Sequence, residues 1–291
     1  MNRKRLVLSF LFLLAMQFML HSQVPKENAL LWKITGPSNP SQSSYLFGTF
    51  HLLCASDFSL PDTLISLLHQ CRQVYFELKL DDPSMTTSMM QSITMKNGQK
   101  LNDLLPPATF DSAAKIFQQK TNIPISFVAS YKPFVLSSML YPAMLGCVPI
   151  SVEMEILNKA KKDSVSVMGL EKVEDQMSVF DSIPYTVQAK QWAKSLLGFD
   201  QSVADMKKMI STYKSKNIDA IQKEVETDTE FSAYENVLLR KRNAKWVPLL
   251  KIAMDTKPTF IAVGAGHLGG EYGVINLLRK QGYTVTPVMY K

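Results

Sequence analysis

Cysteine and histidine are scarce in this chain of 291 residues, with three of the first and four of the second. No Cys-x-x-Cys pair occurs, which leaves a thiol-redox motif or a cysteine-built structural zinc site without support. The H-E-x-x-H pattern of zinc peptidase helices is absent, and so is the G-x-S-x-G elbow of serine hydrolases. Beyond the first 20 residues no apolar stretch is long enough to span a bilayer. Charge of one sign is in excess, at +7, but it is dispersed. Lys159, Lys161 and Lys162 come nearest to a cluster and read as the solvated end of a helix, so nucleic acid is not an expected partner. No internal repeat of fixed period is visible.

What is present is ample core material. The chain is 46% hydrophobic and 20% charged, which suits one large globular domain or two small ones. Asn2-Arg3-Lys4-Arg5 followed by the apolar run Leu6–Leu20 has the layout of a secretory signal, with cleavage expected near His21-Ser22-Gln23 and a retained anchor as the alternative. The expected organisation is a signal peptide over residues 1–22 and one domain over 23–291, exported to the periplasm or beyond, with no membrane span in the mature chain. An exported chain allows one disulfide and one spare thiol among Cys54, Cys71 and Cys147. Cys54 and Cys71 are the nearest pair in sequence, and three buried thiols is the reading the sequence favours.

Apolar runs rich in β-branched and aromatic residues predict strands at Leu31–Thr35, Tyr45–Phe50, Val74–Leu78, Val165–Gly169, Thr259–Gly264 and Thr284–Met289. Gly36-Pro37-Ser38-Asn39-Pro40 reads as the turn of a hairpin between the first two. Helical patterns fill the middle, at Asp62–Cys71, Pro107–Gln119, Pro133–Leu145, Glu153–Lys162, Val173–Asp181, Val187–Leu197, Val203–Lys214 and Tyr234–Met254, with a last helix from Gly270 to Lys280. The methionines between Met85 and Met95 read as an amphipathic helix, with a mobile apolar flap as the alternative. The expected fold is α/β: a central mixed sheet formed from N- and C-terminal strands, flanked by helices, with a long helical insertion in the middle.

Two of the four histidines close a Gly-x-x-His run at the tip of an apolar strand: Gly48-Thr49-Phe50-His51 and Gly264-Ala265-Gly266-His267. The glycines read as positions that let the backbone turn through φ values a side chain resists. The carboxyl ends of strands are where ligands gather in α/β sheets. Glu77 and Glu171 also end predicted strands, and a carboxylate after an apolar run is costly unless paired or metal-bound. If these strands are parallel neighbours, His51, Glu77, Glu171 and His267 share one rim. Imidazoles with carboxylates suit zinc, manganese, cobalt or iron(II), and such a metal lowers the pKa of bound water to about 7. Arg242 is the expected holder of a polarised oxygen or an anionic group, against the alternative of a solvated helix face. Gly264-Ala265-Gly266-His267-Leu268-Gly269 fits G-x-G-x-x-G but lacks the acid about 20 residues on, so a dinucleotide is not expected. His267 and Glu271 are spaced to share a helix face.

At these residues the chain resembles the TraB/GumN family, also called the TIKI/TraB group. The resemblance rests on Leu46-Phe47-Gly48-Thr49-Phe50-His51, Val74-Tyr75-Phe76-Glu77, Ser151-Val152-Glu153, Gly169-Leu170-Glu171 with Gln176, Arg242-Asn243, and Val263-Gly264-Ala265-Gly266-His267-Leu268 with Gly273. It implies a fold related to erythromycin-esterase and ChaN-like proteins and a metal-dependent hydrolase, with manganese or cobalt favoured in membrane-tethered animal metalloproteases. By position it implies His51, Glu77 and His267 as metal or catalytic residues. Glu171, Gln176, Arg242 and Asn243, with Gly48 and Gly264, follow as residues that support them or touch substrate. Ser151-Val152-Glu153 stands where the family has Gly-Val-Asp, which leaves the role of Glu153 open. The expected activity is that of a metallopeptidase-like hydrolase with a peptide or protein substrate. The rival is a non-catalytic protein that binds haem, iron or a peptide at the same rim, and a third reading is a silent scaffold without metal.

Overall fold

The computed structural model describes residues 29–227 and 232–290. The expected signal peptide lies outside the described residues. Six strands form one sheet in the order β6-β4-β7-β2-β1-β8. They are β1 (Leu31–Thr35), β2 (Ser43–Thr49), β4 (Gln73–Leu78), β6 (Ser166–Glu171), β7 (Thr259–Gly264) and β8 (Thr284–Pro287). A separate ribbon pairs β3 (Leu53–Cys54) with β5 (Pro149–Ile150). Strands β6, β4, β7 and β2 run parallel, while β1 pairs antiparallel with β2 and with β8. The sheet is mixed, with β1 and β8 together at one edge and β6 at the other. Strand β7 is buried along Thr259–Val263, as a central parallel strand covered on both faces must be, and its sequence is a continuous apolar run for that reason. At the edge, β8 alternates exposed Thr284 and Thr286 with buried Val285.

Thirteen helices follow the chain among the described residues: α1 (Asp62–His69), α2 (Met85–Ser92), α3 (Pro107–Thr121), α4 (Ile125–Val128), α5 (Pro133–Ser138), α6 (Tyr141–Leu145), α7 (Val152–Lys162), α8 (Val173–Asp181), α9 (Tyr185–Leu197), α10 (Phe199–Lys214), α11 (Ile218–Thr227), α12 (Lys241–Thr256) and α13 (Val274–Lys280). The sheet and its covering helices share one apolar core, with Trp32, Phe47, Phe76, Phe260 and Trp246 buried in it. The helical insertion has its own core, in which Phe117 and Trp192 meet with ring centroids 5.8 Å apart. Met85 and Met89 of α2 pack half-buried beside Leu78 and Met177, as an amphipathic helix would. Lys159, Lys161 and Lys162 form the last turn of α7, where cations meet the helix dipole favourably. Among the described residues, no helix is long and apolar enough to cross a membrane.

Four expectations need correction. The disulfide joins Cys54 to Cys147, with Cα atoms 5.9 Å apart, and Cys71 is the free, buried thiol. Helix α1 carries the chain across the sheet between Cys54 and Cys71. It leaves Cys71 at the edge where β4 begins and Cys54 at the edge where β2 ends. Second, the helix expected over 133–145 is two, because Met139 and Leu140 separate α5 from Tyr141-Pro142 at the start of α6. Third, the expected helix over 234–254 begins as a π-turn at Asn236–Arg240 before α12. Fourth, the last helix starts at Val274, so His267 and Glu271 lie in the preceding loop and share no helix face.

Candidate active site

The parallel register brings the ends of β6, β4, β7 and β2 side by side, with Leu78 opposite Glu171 and Thr49 opposite Gly264. Gly264 is the meeting point. A Cβ there would stand 3.3 Å from Glu77 Oε1, 3.7 Å from a His267 ring carbon and 3.9 Å from His51 Nε2. Its N–H donates to Glu77 Oε1 at 2.8 Å. Gly264 has an ordinary φ of −51° and Gly48 is not among the positive-φ glycines, so the expected backbone role for the two is replaced by a steric one. A Cβ on Gly48 would come within 2.9 Å of Leu268 and 3.1 Å of the Ala265 backbone, so glycine lets the two histidine loops close on each other.

The two imidazoles are held differently. His267 is 4% exposed. Its Nδ1–H donates to Asn243 Oδ1 at 2.6 Å, which leaves the lone pair on Nε2, 3.2 Å from Arg242 Nη1 and 3.8 Å from Glu77 Oε1. The Trp246 ring lies 4.4 Å from it. Burial pushes the His267 pKa down to about 3 against the pull of Glu77, so the ring is neutral at pH 7. The His51 side chain is 69% exposed, and its Nδ1 meets Glu153 Oε1 at 2.7 Å. Desolvation lowers the His51 pKa, and the hydrogen-bonded Glu153 carboxylate raises it more, to about 9. Glu153 itself is buried near the start of α7, where Thr49 Oγ1 donates to it at 2.6 Å and Ser151 Oγ at 3.1 Å.

The carboxylates surround Arg242, which is buried and not on a solvated helix face. Its Nη2 donates to Glu77 Oε2 at 2.6 Å and also to Glu171, while Nε lies 3.1 and 3.2 Å from the two Glu171 oxygens. Gln176 Nε2 donates to Glu77 and to Glu171, at 3.2 Å each. Burial pushes the Glu77 carboxyl up, but His267, Arg242, His51 and the Gly264 N–H outweigh it and hold the pKa at about 2. With His267 neutral at pH 7, Arg242 and the protonated His51 are the cations that keep Glu77 ionised, Arg242 through a direct hydrogen bond. Asn243 also donates through Nδ2 to Tyr272 O at 2.9 Å, which fixes its oxygen toward His267. A cavity of about 200 Å³ shares Asn243 with this cluster and is lined further by Glu226, Glu235, Arg240, Gly266 and Tyr272.

His51, Glu77, Glu171, Gln176, Arg242, Asn243 and His267 thus stand together, with Gly48 and Gly264 making room. Glu153, Thr49 and Trp246 also belong to the cluster: Thr49 and Glu153 lie within the quoted motifs, where the role of Glu153 stood open, and Trp246 lies outside them. Glu153 was visible as an acid at a helix start, but its link to His51 runs through a ribbon the sequence did not announce. Trp246 lies four residues past Arg242, one helical turn on, and nothing in the sequence pattern singles it out.

Imidazole and carboxylate are donor types that divalent metals accept. Each imidazole commits Nδ1 to a side-chain oxygen, the arrangement that orients metal-binding histidines, and Nε2 of His267 faces Arg242 and the ionised Glu77 carboxylate, 3.8 Å away. The groups are not drawn into a finished ligand shell: among the described residues, no three His, Cys, Asp or Glu side chains are grouped closely enough to hold a metal ion.

Fold and site together define an α/β protein with a His–Glu–Arg centre at the carboxyl edge of a parallel sheet. The chain belongs to the TraB/PrgY/gumN family, whose profile matches residues 30–287. It is 24% identical to the metalloprotease TIKI1 of Danio rerio over 89% of this chain and 63% of that protein. Similarity to the metalloprotease TIKI1 of Homo sapiens is 22%, over 91% of this chain and 63% of that protein. An uncharacterized protein of Treponema pallidum is 18% identical over 90% of this chain and 83% of its own length. The chain spans about three-fifths of the length of the TIKI relatives. No solved structure matches it.

Proposed function

We propose that the chain is an exported, metal-dependent hydrolase that cleaves peptide bonds at the edge formed by β2, β4, β6 and β7. The observation that carries this reading is the meeting of His51, Glu77 and His267 around Gly264, with Asn243 and Glu153 each fixing one imidazole through Nδ1. The metalloprotease relatives support the reaction class.

His51 and His267 would hold the metal through Nε2, with Glu77 as third ligand or as the base beside it. Manganese, cobalt, zinc or iron(II) bound there supplies a water acidic enough to attack a carbonyl at neutral pH. Glu77, ionised at pH 7, would take a proton from an attacking water and return it to the leaving amine. Arg242 steadies the oxyanion, anchored by Glu171. Asn243 keeps His267 in the Nδ1–H tautomer, and Gln176 ties Glu77 to Glu171.

Metal analysis of the purified chain, followed by cleavage of a peptide library with and without chelator, tests the proposal. Cleavage that chelator abolishes and metal restores is expected, with His51→Ala and His267→Ala inactive but folded. Bound haem, or intact peptides under every metal, contradicts it and favours a binding protein.

A further inference from the structure

We propose that Arg242 is a resident counter-cation of this site, and that a divalent metal loads by taking Glu77 and His267 from it. The inference rests on the hydrolase reading and adds an order of events: the guanidinium leaves two ligands before it can face a substrate.

The contacts of Arg242 fall into two sets. One set anchors it: Nε lies 3.1 and 3.2 Å from the Glu171 oxygens, and Nη1 donates to Leu238 O at 3.0 Å. The other set consists of proposed metal ligands: Nη2 donates to Glu77 Oε2 at 2.6 Å, and Nη1 meets His267 Nε2 at 3.2 Å. His267 has one lone pair to give. Asn243 Oδ1 takes the Nδ1 proton, so Nε2 is the sole acceptor of that ring. It serves Arg242 or a metal, not both.

Charge makes the same demand. Arg242 neutralises part of a buried pair of acids, Glu77 and Glu171, whose side chains are 11% and 9% exposed. A dication placed against Glu77 would sit in contact with the guanidinium, in surroundings that screen charge poorly. Repulsion is relieved if the guanidinium swings toward Glu171 and Leu238. The backbone there is suited to such a shift, because the π-turn Asn236–Arg240, which holds Leu238, runs directly into the residue before Arg242. Such turns break the regular i to i+4 ladder and are frequent at functional sites. After the shift, Nη2 keeps its bond to Glu171 but gives up the one to Glu77, and Nη1 gives up His267, which leaves one N–H of each to meet a substrate oxygen.

The test uses the whole chain, stripped of metal and titrated with Mn²⁺ alone by calorimetry. Competition predicts that Arg242→Met binds Mn²⁺ at least tenfold more tightly than the wild type, while peptide turnover falls. Arg242→Lys keeps the charge but not the fork that bridges Glu77 and His267. It predicts a gain of about threefold or more, and it serves if Arg242→Met fails to fold. Equal or weaker Mn²⁺ binding by a folded variant overturns the proposal and leaves the hydrolase reading in place. If neither the wild type nor the variants bind any divalent metal, both fall together.

Discussion

At the scale of single residues, the two histidines are unequal partners. His267 is walled in by Trp246, Asn243 and Arg242, so its orientation is set before any ligand arrives. His51 stands in the open and depends on one carboxylate, Glu153. Removing the group that fixes a metal-binding imidazole costs about 10- to 100-fold in metal affinity. Asn243→Ala and Glu153→Gln should each show a loss of that order in a metal titration, and unchanged affinity in both would remove the two histidines from the ligand set. Acid should destabilise the metal-free protein. His267 titrates at about 3 in the fold against 6.5 in the unfolded chain, so the unfolded state binds more protons between those values and stability falls as pH drops through that window. Glu77, held at about 2 against 4.5, adds to the loss below about pH 4.5. His267→Asn should flatten the slope between pH 6.5 and 4.5 in urea unfolding, and an unaltered slope would contradict the buried neutral imidazole. Much of this cluster was legible because a strand end is a position along the chain, readable one residue at a time. The burial of Arg242 was not, because Arg240-Lys241-Arg242 looks like a solvated helix face until Glu77 and Glu171 are placed beside it.

At the scale of elements, the parallel strands announced themselves. A strand buried on both faces is a continuous apolar run, and β7 follows that rule along its whole length. The two-residue strands β3 and β5 carry too little pattern to be read, and with them went the pairing of Cys54 with Cys147. That bridge fastens the segment after His51 to the segment before Ser151 and Glu153, across a ribbon of two residue pairs. So short a ladder has little stability of its own. Replacing both cysteines with serine should cost about 2–4 kcal/mol of unfolding free energy, the usual worth of a native disulfide. Chemical denaturation of the variant against the oxidised wild type measures it, and no loss would mean that the ribbon stands without its bridge. Gly48 and Gly264 make a second lesson at this scale. Their signal in the sequence was real, but the need is for space between strand and loop and not for a left-handed backbone.

At the scale of the whole molecule, the site exists only because the chain's ends are neighbours. β2 carries the His51 loop and β7 the His267 loop, and the two strands pair in parallel with the helical middle of the chain looped out between them. Part of that middle, between Leu101 and Leu196, packs around a separate apolar core, whereas α7, which carries Glu153, and α12, which carries Arg242 and Asn243, pack into the core of the sheet itself. The central claim is that imidazoles from opposite ends of the chain share one cation with Glu77. X-ray absorption spectroscopy of the cobalt-loaded protein addresses it directly. The account predicts the scattering of two imidazoles and at least one carboxylate oxygen around the metal, falling to one imidazole in His51→Ala and in His267→Ala. A metal shell without imidazole, or one that neither substitution changes, would contradict it.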